Sequence, residues 1–254
     1  MNGVLAPKNT AIDVHLQVGA LENWSDFIHA IAGDKAGSAE SQIRYVGSLQ
    51  WDGSITGPSG GPTFQGHFRG ENFQYSNVKI DSLDGEMSYS PDALKITNGR
   101  ASRGLMKAGI TGEMELDRWE FKPDSKWSSE INLEKVPLEG LEQLANVNYP
   151  LHGLLTGQFN GQGTRAEPSL TGNIDLADGN AYSVVFNRLR GQLNIRPDEV
   201  RLSNAELRFF EAGTEKSGAG IVTGNVAYRF ADKSLTTDLA VSYTHLTLPT
   251  ILRV

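Results

Sequence analysis

The chain has 254 residues, 39% of them hydrophobic and 21% charged, so it can bury a sizeable apolar surface. Its net charge of −7 includes no block of Lys and Arg, which excludes a nucleic-acid-binding stripe, and the lack of cysteine excludes disulfides and thiolate metal sites while leaving the compartment open. No run of about 18 apolar residues occurs, so no segment is expected to cross a membrane as a helix.

Met1 to Lys8 lacks a charged stretch followed by an apolar one, so it is not a signal peptide; any export signal or anchor is expected outside this segment. Val14-His15-Leu16 reads as a strand. Leu21, Trp24, Phe27, Ile28 and Ile31 then form one helical stripe that Gly33 ends. Gly57-Pro58-Ser59-Gly60-Gly61-Pro62 is a turn. Leu83, Gly85, Met87 and Tyr89 alternate with Asp84, Glu86 and Ser88, the period-two pattern of a half-buried strand, and Pro91-Asp92 turns the chain into the next one. Ile131-Asn132-Leu133 leads through Pro137 to Leu138, Leu141 and Leu144, a second strand and short helix. Leu170, Gly172, Ile174 and Leu176 share one strand face, as do Leu189, Gly191, Leu193 and Ile195. Pro197-Asp198 is again a turn, and Val200 with Leu202, then Val222, Gly224, Val226 and Tyr228, continue the series.

These elements repeat. Pro62-Thr63-Phe64-Gln65-Gly66-His67-Phe68 matches Pro168-Ser169-Leu170-Thr171-Gly172-Asn173-Ile174 at a separation of 106 residues. At that offset Gly47 meets Gly153, Leu83 meets Leu189, Gly85 meets Gly191, Pro91-Asp92 meets Pro197-Asp198 and Asn98 meets Asn204. Ile110-Thr111-Gly112 matches Val222-Thr223-Gly224 at an offset of 112, which places an insertion around Glu211 to Gly218. One unit covers about residues 11–126, a second about 127–234, and a third begins at 235–241, where Leu235 to Val241 resembles Trp127 to Leu133. Ser242 to Val254 resembles the translated sequencing-adapter ends of metagenomic fragments and is read as a non-native tail; the plainer reading is a strand with Leu246 and Leu248 on one face.

The fold expected is all-β: antiparallel meander repeats with an apolar and a polar face, and one short amphipathic helix per unit. A helix of about ten residues is roughly 15 Å long. Some seven strands at ~4.8 Å spacing are over about 30 Å wide, so the helices cannot cover the apolar face. The sheet must curl on itself, pack on another sheet, or cover something that is not protein.

No catalytic, cofactor or metal motif stands out. The histidines, His15, His29, His67, His152 and His245, show no metal-binding spacing, and His67 falls opposite Asn173 in the repeat, so they read as structural. The glycine-rich stretches at Gly57–Pro62 and Gly157–Gly163 lack the Lys-Ser or Lys-Thr of a phosphate loop and read as turns and strand starts. Asp175-Leu176-Ala177-Asp178-Gly179 lacks the closing Glu of a calcium loop and reads as a turn. No Gly-x-Ser-x-Gly elbow occurs, and the carboxylates fall mostly on the polar face. An enzyme is not expected.

The strand and helix from Ile131 to Val147, then Tyr149-Pro150-Leu151-His152-Gly153, the series Gly153, Gly157 and Gly161, and the strands Leu170 to Leu176 and Leu189 to Leu193 together resemble the AsmA-like superfamily, in particular its TamB-type translocation and assembly module subunits. The likeness covers about residues 10 to 241. It implies a curled, groove- or taco-like elongated sheet in a periplasm-spanning protein anchored in the inner membrane. It implies phospholipid transport between inner and outer membrane and outer-membrane assembly, with acyl chains as ligand. A barrel partner in the outer membrane would be met through regions absent here, as is the anchor helix. The lining expected for such a groove is Phe64, Phe68, Val78, Ile80, Leu83, Met87, Leu94, Ile96, Leu170, Ile174, Val184, Phe186, Leu189, Leu193, Val200 and Leu202. The alternatives are a structural or docking β-repeat module without lipid, marked by strand addition at a sheet edge, and a surface adhesin or hydrolase.

Overall fold

The computed structural model describes residues 2–4, 10–24, 45–75, 78–144, 150–182, 184–210 and 218–242. They form fourteen strands: β1 (Asn2–Val4), β2 (Thr10–Val18), β3 (Tyr45–Gly57), β4 (Thr63–Tyr75), β5 (Val78–Tyr89), β6 (Ala93–Arg103), β7 (Met106–Glu115), β8 (Lys126–Pro137), β9 (Leu151–Thr164), β10 (Pro168–Ala181), β11 (Val184–Ile195), β12 (Glu199–Phe210), β13 (Gly218–Arg229) and β14 (Ser234–Ser242). A 3-10 turn at Leu21–Trp24 and the helix α1 (Leu138–Leu144) accompany them. Each strand pairs antiparallel with its neighbours in sequence, so the order runs from β1 to β14 with no crossover and no closure into a barrel. The expected all-β meander is therefore present as one open sheet.

Local chemistry explains the turns and bends. Ser90 N–H donates to Ala93 O at 2.9 Å around Pro91-Asp92, and Arg196 N–H donates to Glu199 O at 2.8 Å around Pro197-Asp198. Gly61 N–H closes the Gly57–Pro62 turn on Pro58 O at 3.0 Å. Left-handed backbone recurs at the repeat distance: Asn72 (φ 51°) and Asp178 (52°), Asn98 (52°) and Asn204 (50°), and the glycine pairs Gly47 with Gly153 and Gly57 with Gly163 are each 106 residues apart. Asn and Asp tolerate this conformation better than other residues with a side chain. The register shifts recur too, at Asp84/Glu86 and Arg190/Gln192, and at Ile96/Gly99 and Leu202/Ala205. The β-repeat thus includes its irregularities.

Two sequence readings need revision. Asp175–Gly179 is not a turn but a bulge inside β10, with Asp178 left-handed and the register shifting between Ala177 and Asn180. Gly157–Gly163 lies in the interior of β9, not at a turn or strand start. The stripe expected from Leu21 to Ile31 begins as a 3-10 turn; Phe27, Ile28 and Ile31 lie outside the described residues, as do 211–217 and 243–254. β14 is also displaced: Gly112 faces Ser129, whereas its counterpart Gly224 faces Leu239, an offset of 110 rather than the 108 of the sequence likeness. The connection 230–233 is shorter than 116–125, and connection length sets register. A slip of two residues keeps the same side chains on the same face.

Leu138 and Leu141 of α1 pack on the apolar face against a cluster of Leu155, Phe159, Leu176 and Phe186. The helix touches β8 and β9 and also reaches β5. Seven residues make about 10 Å of helix, against a sheet roughly 60 Å across at ~4.8 Å per strand. Among the described residues nine apolar side chains are buried, and none of them falls below 2% exposure.

Candidate functional site

The ladders settle which side chains share the apolar face. In β4 to β6, Phe64 pairs with Tyr89 and Tyr89 with Leu94, Met87 pairs with Ile96, Phe68 with Gly85, and Leu83 with Gly70. Phe64, Phe68, Leu83, Met87, Leu94 and Ile96 are all half-buried there. Ile80, also half-buried, pairs with Phe73, and Val78 pairs with Tyr75 at the end of the ladder. In the second unit Leu170, Ile174, Phe186, Leu189 and Leu193 belong to one cluster, with Leu202 opposite Leu193 and Val200 opposite Ile195. Val184 stands apart, 52% exposed.

Strict alternation would put Phe186 on the other face from Leu189. Both pack in the same cluster, with the exposed Asn187 and Arg188 between them, beside the bulge at Asp178 in the neighbouring strand. Gly179, directly opposite, makes this possible: a Cβ there would collide with the Phe186 ring.

Aromatic residues that the sequence reading left out also lie on this face. Trp51 pairs with Leu16 and Phe68, and Trp127 with Met114 and Gly163. Trp119 folds back from the turn after β7 to meet Tyr89 (ring centroids 4.6 Å) and Phe64 (6.0 Å). The rings of Trp51 and Phe159 lie over glycines: a Cβ on Gly53 or Gly66 would meet Trp51 at 2.6 or 2.9 Å, and one on Gly157 or Gly172 would meet Phe159 at 2.8 or 2.5 Å. The sequence signal was present as glycine two residues from an aromatic, with another glycine across the ladder.

The apolar face continues onto less covered strands. Leu16 on β2 is 42% exposed, Ile110 on β7 41%, and Leu235, Leu239 and Val241 on β14 64%, 48% and 52%.

The clefts, in contrast, open on the polar face. One of about 1160 Å³ crosses β5 to β12, bordered by Asp84, Arg100, Lys107, Glu134, Asp175 and Arg190 around a row of amides, Asn132, Gln158, Asn173 and Gln192. These four amides are direct cross-strand neighbours. Of the expected lining only Ile174 borders this cleft. Smaller clefts lie beside Glu113, Ser128 and Gln162, beside His15, Asp52 and Gln65, and beside Arg201, Asn225 and Asp238, all on the same face.

Ion pairs neutralise the polar cleft. Lys107 Nζ lies 3.3 Å from Glu134 Oε2. Asp175 accepts from Arg188 Nε at 2.7 Å and from Arg190 Nε at 3.2 Å. The Arg188 hydrogen bond, opposed by partial burial and assisted by Arg190, holds the Asp175 carboxyl below the usual range.

The sequence matches no protein-family model and no curated protein, and the fold matches no solved structure.

Proposed function

We propose that the chain is part of an envelope lipid conduit, a run of AsmA-like β repeats in an inner-membrane-anchored protein that extends through the periplasm. Its apolar sheet face carries phospholipid acyl chains between inner and outer membrane, in support of outer-membrane assembly. The observation that carries this reading is the mismatch, among the described residues, between that face and its cover: a helix of about 10 Å on a sheet of roughly 60 Å, with exposed Leu16, Ile110, Leu235, Leu239 and Val241 continuing the apolar rows. Burial of about ten methylenes on such a surface contributes ~8 kcal/mol before the acyl chain is immobilised. That attraction asks for no hydrogen-bond geometry, which suits lipids of varied structure and needs no catalytic group. The reach of α1 from β8 and β9 to β5 favours a sheet that curls over its apolar face. The ion-paired opposite face remains in water.

Photo-crosslinking residues at Ile110 and Leu239, compared with Asn132 on the polar face, test the proposal in membranes containing labelled phospholipid. Lipid adducts at the first two positions and none at Asn132 are expected. Equal labelling on both faces overturns the reading. A second reading, a docking module without lipid, is favoured by β14: it pairs on one side with β13, is exposed from Leu235 to Ser242, and carries one charge, Asp238. Protein adducts in place of lipid at Leu239 would establish that alternative.

A further inference from the structure

The polar face of the first unit carries a row that the second unit lacks. His15 on β2 pairs directly with Asp52 on β3, Asp52 with His67 on β4, and His67 with Glu86 on β5. Directly paired residues project from the same face, so imidazole and carboxylate alternate across four consecutive strands. The equivalent positions in β8 to β11 are Asn132, Gln158, Asn173 and Gln192, paired in the same order. The backbone therefore accepts uncharged amides at every step, and the fold does not require the histidines and acids.

We propose that His15, Asp52 and His67 form a binding site for a Zn²⁺-class divalent ion, with Glu86 or water completing the shell. The donor set selects the ion: two imidazoles and a carboxylate suit Zn²⁺, whereas Ca²⁺ and Mg²⁺ take oxygen ligands. The geometry is within reach. Three neighbours on adjacent strands span about 10 Å. Two rings leaning over the central carboxylate can bring nitrogen and oxygen within the ~2.0–2.2 Å that zinc requires. A cleft of about 750 Å³ bordered by Asp13, His15, Asp52 and Gln65 opens above one end of the row.

As they stand, the side chains make pairs. His15 Nδ1 bonds Asp52 Oδ1, and His67 Nε2 lies 3.0 Å from Asp84 Oδ2. No three donors converge among the described residues. Closing the site needs a rotamer change at His67, and Arg69, 3.6 Å from Asp84, then keeps that carboxylate compensated. The ion takes the proton's place between His15 Nδ1 and Asp52 Oδ1, which makes Nδ1 the ligand nitrogen. The site lies on the opposite face from the proposed acyl surface and does not rest on that reading.

The test uses the untagged full chain, titrated with Zn²⁺ by calorimetry and with Co²⁺ by visible absorption. One ion per chain is expected, with a Co²⁺ band characteristic of four- or five-fold coordination. His67→Asn and His15→Asn, each the residue of the second unit, should weaken binding by more than the roughly 10–100-fold that loss of an outer partner costs, with an unchanged circular dichroism spectrum. Transplanting the row by Asn132→His, Gln158→Asp and Asn173→His should raise the stoichiometry to two. Failure of the wild-type chain to bind at sub-millimolar Zn²⁺, or equal binding by the His15→Asn/His67→Asn chain, overturns the proposal.

Discussion

The two units have the same backbone irregularities but reach them with exchanged side chains. Trp51 and Gly53 in the first unit stand where Gly157 and Phe159 stand in the second. In both units one ring covers its own strand's glycine and the same glycine across the ladder, Gly66 or Gly172. Charge is exchanged as well: Arg69 faces Asp84 at 3.6 Å in the first unit, and Asp175 faces Arg190 at 3.2 Å in the second. What the repeat preserves is the pairwise slot, one ring for two bare Cα atoms or one cation for one anion, rather than the residue at each position. Such exchanges are tolerated because a cross-strand pair is the unit of sheet stability.

The units differ in how deeply those slots are buried, and substitutions can test that difference. The largest effect is expected for Phe159→Ala. Phe159 is 5% exposed within the α1 cluster, and its loss should cost about 3–5 kcal/mol, read as a lowered urea midpoint. Trp51→Ala, at a half-buried position, should cost clearly less; equal losses would show that the two apolar faces are equally covered. Next is Asp175→Asn, expected to cost about 1 kcal/mol at neutral pH, with Asp84→Asn costing less. Asp175 is held below its unfolded value, so its contribution is complete above that value, about pH 4, and is lost as the pH falls through the lower folded one. Acid unfolding curves of wild type and Asp175→Asn should therefore converge at the acid end. The smallest effect is expected at Trp51. Among the described residues Trp51 Nε1 is buried without a hydrogen-bond partner, whereas Trp127 Nε1 donates to Thr164 O at 3.1 Å. Trp51→Phe should change stability by less than ~0.5 kcal/mol, and Trp127→Phe should cost about 1 kcal/mol.

Much of the fold was legible because it rests on local chemistry. Alternation gave the strands, Pro-Asp gave two turns, and the 106-residue spacing of Gly, Pro and Asn marked the repeat. The phase of alternation was less legible. That Phe186 and Leu189 share a face depends on the bulge at Asp178 in the neighbouring strand and on the bare Cα of Gly179, neither of which a single-strand pattern contains. The two-residue displacement of β14 depends on a loop length that sequence likeness ignores. The apolar residues were legible as a set, but the location of the clefts was not, because curvature sums small twists and bulges over many strands. The His-Asp-His-Glu row was hidden for a related reason: its members are far apart in sequence and become neighbours only through pairing register.

A consequence follows from the absence of any crossover in the sheet. Since each ladder joins consecutive strands, duplicating a six-strand unit in the gene would break no existing hydrogen bond except at the junction, and would extend the molecule by roughly 29 Å. Such a chain behaves as a ruler: its length can be set by copying whole graduations instead of redesigning a core.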